Sequence, residues 1–226
     1  GVADSHLNAH LFEEPVALWV RSHHGDAPYL GIDLTGHLSI LGLRDTTALP
    51  ALALMRGRAP IKAEIKITDE AKDLDHIHVT SSLEGVDIDL PEPFGKTREA
   101  AVPLTMDTYF HLARGMRLKI NLEKRLSTDL WFEGPPSTLH LARGEVVLGE
   151  GHDVLRDSPG ASIQGQFETF DWENWRTVFD KLKLKQTVPA EDILSGFRAV
   201  SLSFKQAELL NQHYQNIQLY AQRLPE

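Results

Sequence analysis

The sequence predicts a mainly β protein, a curved, bulged antiparallel sheet with two short helices, which either closes as a barrel or sandwich or stays open as a groove, bent like a taco. Three observations predict it. Short segments of alternating apolar and polar residues recur along the chain, and period-two alternation marks a strand with one apolar face. Only two stretches break that period. The alternation also changes phase at two glycines, the signature of bulges that bend a sheet.

The strands follow in order. Val16, Leu18 and Val20 form an early segment, and YLGIDLTGHLSI places Leu30, Ile32 and Leu34 on one face. IKAEIKI sets Ile61, Ala63, Ile65 and Ile67 against Lys62, Glu64 and Lys66. HIHVTSSL contributes Ile77 and Val79, VPLTMDTYF Leu104 and Met106, and MRLKINLEK Leu118, Ile120 and Leu122. TLHLARGEVVLG carries Leu139 and Leu141, then Val146 and Leu148. Ile163 and Phe167, then Val200, Leu202 and Phe204, and finally Ile217, Leu219 and Ala221 complete the series. Turn-rich runs such as HHGD, TDEAKD, FEGPPS and RDSPG separate them. Purely parallel sheets read as continuous apolar runs, so the alternation argues for antiparallel pairing.

The first exception is TTALPALALMRG, read as a short helix capped by Thr46 or Thr47 and closed by Gly57. The second is FDWENWRTVFDKL, where Asp171 is the expected N-cap and Trp172, Trp175, Phe179 and Leu182 share a helical face. That aromatic stripe predicts a helix laid on a sheet. These breaks, near 46–58 and 171–184, interrupt what otherwise reads as one continuous segment over 1–226.

The phase changes fall at Gly85 and Gly144. In VTSSLEGVDIDLPEPFGK, Val79 and Leu83 take odd positions, while Val86, Ile88 and Leu90 take even ones. A bulge at Glu84-Gly85 would return both sets to one face, and Arg143-Gly144 reads the same way. The prolines of Pro91–Gly95 then end the strand.

Composition narrows the function. With 32 acidic against 23 basic residues and a net charge of −9, nucleic acid is excluded as the main partner, since phosphate binding needs a basic surface. Cysteine is absent, which rules out disulfides and suits an oxidising compartment. No run nears the ~20 apolar residues of a membrane span, and the chain, opening on Gly1, reads as a piece of something longer.

No enzyme signature emerges. Among the 11 histidines, His76 and His78 are spaced as two ligands on one side of a strand, with Asp75 beside them. Metal sites require a third and fourth donor, and the sequence does not bring His23, His24 or Asp26 to them. The reading therefore assigns no metal, no cofactor and no catalytic residue. His6, His10, His111 and His152 are scattered, and the glycines of 149–151 lack the following helix of a phosphate loop.

Several motifs together resemble the YhdP branch of the AsmA-like proteins. They are SSLEGVDIDLPEPFGK, GEVVLGEG, ASIQGQFETFDWENWRTVF and the tail FRAVSLSFKQAELLNQHYQNIQLYAQ. The resemblance implies a segment of a periplasmic body whose parent is anchored in the inner membrane of Gram-negative bacteria. It further implies a bridge-like groove carrying phospholipid to the outer membrane. The expected partners are then phospholipid acyl chains and neighbouring segments of the same parent chain, with membrane contact made by parts outside this sequence. The expected lining is Ile61, Ala63, Ile65, Ile67, Ile77, Val79, Leu83, Val86, Ile88, Leu90, Leu104, Met106, Leu118, Ile120, Leu122, Leu139, Leu141, Val146 and Leu148. The alternative is a non-transporting envelope scaffold or interaction domain whose apolar face fills itself.

Overall fold

The computed structural model describes residues 4–25, 28–47, 50–68, 75–111, 115–135, 138–149, 159–183, 196–209 and 212–223. The expected helix residues 48–49, the expected turn residues Asp26, 69–73, 136–137 and 156–158, and the side chain of Leu182 lie outside these.

Twelve strands pair in chain order to make one sheet. They are β1 (Ser5–Leu11), β2 (Glu14–His23), β3 (Tyr29–Ser39), β4 (Met55–Thr68), β5 (Asp75–Ser81), β7 (Leu104–His111), β8 (Gly115–Leu122), β9 (Leu126–Glu133), β10 (His140–Leu148), β11 (Gly160–Asp171), β12 (Phe197–Leu209) and β13 (Gln212–Gln222). β6 (Val86–Ile88) lies off this path and pairs with β4. β1 and β13 are the two edges and do not meet, so the sheet is not closed into a barrel.

Short loops set the register. Leu11 pairs with Glu14 across a two-residue hairpin turn. Its central residues Phe12 and Glu13 have φ of 49° and 68°, the twist that right-handed strands require of such a turn. β3 and β4 then pair without a break from Tyr29↔Thr68 to Ser39↔Arg58. Every pairing is antiparallel except β10–β11 and β11–β12, which are parallel. The predicted sheet is thus present but mixed. Parallel neighbours need a long crossover, and α2 (Trp172–Lys183) lies in the one between β11 and β12.

Two local expectations are corrected. The first helix, α1, runs Ile40–Thr46 with Ser39 as its N-cap, the hydroxyl accepting from the Gly42 amide at 3.3 Å. Thr47 is therefore its C-cap and no N-cap. Pro50, inside the predicted helix, instead opens a 3₁₀ turn, Pro50–Leu54, and the chain is already in β4 at Gly57. Asp171, by contrast, caps α2 as predicted, its Oδ1 accepting from the amides of Glu173 and Asn174 at 2.9 and 3.2 Å.

The phase change at Gly85 is not a bulge in one strand. β5 ends at Ser81, the chain turns through Leu83 (φ 50°) and Gly85 (φ 88°), and β6 pairs back onto Met55–Gly57. A fold-over and a bulge produce the same switch of parity. Glycine is required here because a Cβ on Gly85 would lie 2.4 Å from the Arg58 carbonyl oxygen. Near Gly144 the pairing of β9 and β10 does shift, between Leu141 and Arg143. Leu141 pairs with Phe132 and Val146 with Thr128, so both lie on one face.

Candidate functional site

The registers join into rows that cross the whole sheet. One row runs Leu7, Leu18, Leu34, Ala63, Val79, Met106, Ile120, Thr128, Val146, Ile163, Val200 and Ala221, each paired with the next. Thr128 is its only polar member, and its hydroxyl accepts the Ile120 amide at 3.1 Å. At roughly 4.8 Å per strand the row extends about 53 Å. A neighbouring row on the same face carries Val20, Ile32, Ile65, Ile77, Thr108, Leu118 and Leu130.

One residue along each strand, the opposite face is polar. The row there reads His6, Trp19, Asp33, Glu64, His78, Asp107, Lys119, Asp129, Glu145, Ser162, Ala199 and Gln222. Cross-strand ion pairs tie it together. Arg21 meets Asp33 at 2.6 Å, and Arg117 grips both oxygens of Asp129 at 2.8 and 2.6 Å. Asp129 is only 2 % exposed, and the two-pronged guanidinium contact compensates its desolvation. On the same face His76 Nε2 and His78 Nδ1 each lie 2.8 Å from Asp107 Oδ1. Burial pushes the Asp107 carboxyl up, but hydrogen bonds from His78 and His76, with their charges, outweigh it and hold the group below its ordinary value.

The apolar face carries, among the described residues, no second layer of paired strands beyond β6. Among the described residues, the elements laid over it are α1, the 3₁₀ turn, β6 with its following loop, and α2, all gathered at one end of the strands. There Ile40, Ala59, Leu83, Val86 and Ile88 form a buried cluster against Leu90, Leu104 and Leu122. Lys96 threads into it and donates to the carbonyls of Leu83, Val86 and Thr97. Arg125 holds the Pro91–Gly95 loop through the Gly95 carbonyl at 2.8 Å. Phe94 of that loop meets Phe167 and Trp175 edge-on, and Phe167 stacks on Phe204. A cleft of about 940 Å³ opens beside it, between the loop, the β8–β9 turn and β11–β13.

The predicted lining divides accordingly. Ile65, Ile77, Val79, Met106, Leu118, Ile120, Leu141, Val146 and Leu148 are half-buried on the apolar face, and Ile67 is 41 % exposed there. Ile61 and Ala63 share that face but are buried among Val16 and Leu34. Leu83, Val86 and Ile88 do not line the open part, because the fold-over at Gly85 packs them into the end cluster with Leu90 against it. Leu104 and Leu122 lie beneath that cluster, and Leu139 precedes β10 at the surface. Sequence reasoning left out Leu7, Leu18, Leu34, Ile163 and Val200, whose alternation was visible but whose place in the row depends on pairing. The α2 stripe is only partly inward: Trp175 touches Phe94 and Val178 is buried, while Phe179 is 41 % exposed.

A single sheet, apolar on one face, polar on the other, covered at one end and not closed into a barrel, defines the class: an open β-sheet protein. The chain belongs to the YhdP protein family, whose model matches residues 1–226. No curated protein and no solved structure matches it. No helix among the described residues is long and apolar enough to cross a membrane.

Proposed function

We propose that the apolar face is a segment of a groove that carries phospholipid acyl chains through the periplasm, between inner and outer membrane. Its parent would be an inner-membrane-anchored protein, and the activity would support the outer-membrane permeability barrier. The observation that carries this reading is the row from Leu7 to Ala221, apolar at every position but Thr128 and, among the described residues, overlaid by no second layer along most of its length. Exposing an acyl chain to water costs about 0.8 kcal/mol per CH₂. A two-chain lipid in water therefore stands on the order of 20 kcal/mol above its bilayer state. A continuous apolar strip offsets that cost at each step, and it needs no nucleophile, metal or tuned acid to do so. The polar face keeps the outside wetted. Family membership and the resemblance of the PEPFGK and Asp-aromatic helix motifs support the same assignment.

The scaffold alternative draws on the end cluster, where the apolar face does fill itself around Val86. Photo-crosslinking from position 120 or 65 in cells separates the two. Adducts with phospholipid support the groove. Adducts with protein alone, together with no lipid co-extracted by the purified chain, would overturn it.

A further inference from the structure

On the polar face, remote from any lipid path, three potential metal donors converge. His76 Nε2, His78 Nδ1 and a carboxylate oxygen of Asp107 all lie within 4.8 Å of one another. The strand period puts His76 and His78 on one side of β5, and the β5–β7 register sets Asp107 directly opposite His78. The third donor that the sequence could not supply thus comes from the neighbouring strand, and Asp75 is engaged elsewhere, accepting from the Thr68 amide at 2.8 Å. The His76 ring is fixed by stacking on Tyr109, 4.4 Å between centroids at 3°. All three side chains keep access to solvent, at 29 %, 34 % and 26 % exposure.

We infer that His76, His78 and Asp107 form a binding site for a divalent transition metal, with Zn²⁺ the best-fitting ion. Two imidazoles and one carboxylate are borderline-to-hard donors that suit such ions. Metal–donor bonds of about 2.0–2.2 Å in a tetrahedron separate the donors by roughly 3.3 Å. Each histidine nitrogen is now 2.8 Å from the same carboxylate oxygen, so those two contacts widen by about half an ångström around the ion, while the two nitrogens already lie within 4.8 Å of each other. Without metal, both imidazoles present N–H to the carboxylate. With metal, the facing nitrogens present lone pairs and their protons move to the far nitrogens or to solvent. The fourth position is left to water. Nearby cations are drawn aside: Lys66 lies over the Tyr29 ring at 4.7 Å, and Lys119 lies 3.5 Å from Asp129.

The test is calorimetric titration of the chain with ZnCl₂, paralleled by Co²⁺ and its visible absorption. One ion per chain is expected. His78→Ala and Asp107→Asn should each weaken binding at least tenfold, and His76→Ala/His78→Ala should abolish it. His140→Ala, on an exposed histidine, should leave it unchanged. Should the double variant fail to fold, imidazole nuclear resonances of the wild-type chain serve instead, with zinc-induced shifts confined to His76 and His78. No uptake by the wild type, binding that survives the double variant, or shifts centred on other histidines would overturn the site.

Discussion

The Lys96 ammonium donates to the Leu83 carbonyl at 2.9 Å, and this contact ties the far side of the β6 fold-over to its beginning. The same group reaches the Val86 and Thr97 carbonyls, so one cation satisfies three acceptors at a buried cluster. Burial first, and then the neighbouring Arg125, hold the Lys96 pKa below its ordinary 10.5. The unfolded chain consequently binds more protons between the folded pKa and 10.5, and this residue's contribution makes stability rise with pH across that window. Lys96→Met keeps the bulk but leaves the carbonyls without their donor. It should cost about 2–3 kcal/mol in urea unfolding, and the alkaline rise should vanish with it.

Substitutions on the two parts of the apolar surface should separate binding from folding. Ile120 and Ile65 lie half-buried on the open face. A carboxylate against hydrocarbon costs about 3 kcal/mol, so Ile120→Asp should lower phospholipid recovered with the protein by roughly a hundredfold, with the circular dichroism spectrum retained. Ile88 is 7 % exposed inside the end cluster. Ile88→Asp buries a charge with no partner and should destabilise by about 4 kcal/mol or more. Lipid loss without unfolding at position 88, or unfolding without lipid loss at 120, would contradict this division.

Asp107 provides a test in acid. Its folded pKa is lowered from 3.8, against the opposing push of burial, by the two histidine contacts. A depressed carboxylate pKa contributes stability that is fully present above the unfolded value and is lost as pH falls through the folded one. The wild type should therefore lose stability below about pH 4 more steeply than Asp107→Asn. Urea midpoints at pH 7, 4 and 3 measure the difference.

The faces of the sheet were legible because alternation is a local property. Any strand with Ile65 and Ile67 on one side must put Lys66 on the other, whatever its neighbours. Pairing is not local. The switch of parity at Gly85 reads identically as a bulge or a fold-over, and only the closeness of Gly85 to Arg58 decides between them. The parallel junctions were hidden for a similar reason: β11 and β12 alternate like antiparallel strands, and the clue was α2 between them, which reads in sequence only as a helix laid on the sheet. Asp107 completes a cluster with His78 across 29 positions of sequence, a distance over which spacing carries no geometric information. The end cluster escaped because its members come from α1, β4, the turn before β6 and β6 itself.

Gly144 links the shifted β9–β10 register to the charge pair on the polar face of the sheet. Its φ is +147°, and a Cβ there would lie 2.4 Å from the Asp129 carbonyl oxygen and 2.8 Å from the Leu130 Cα. Both contacts are backbone, so no side chain can rotate away. Asp129 is held in turn by Arg117. Gly144→Ala must therefore either strain its own backbone, at about 1–3 kcal/mol, or push β9 away and open the Asp129 contact. Gly31 is the matched control, since its Cβ would meet nothing nearer than the His23 ring at 3.4 Å. Thermal melting should fall clearly for Gly144→Ala and little for Gly31→Ala. Adding Arg117→Ala should cost less in the Gly144→Ala background than in the wild type, because the contact it removes is already loosened. Strict additivity of the two changes would show that β10 absorbs the strain without moving β9.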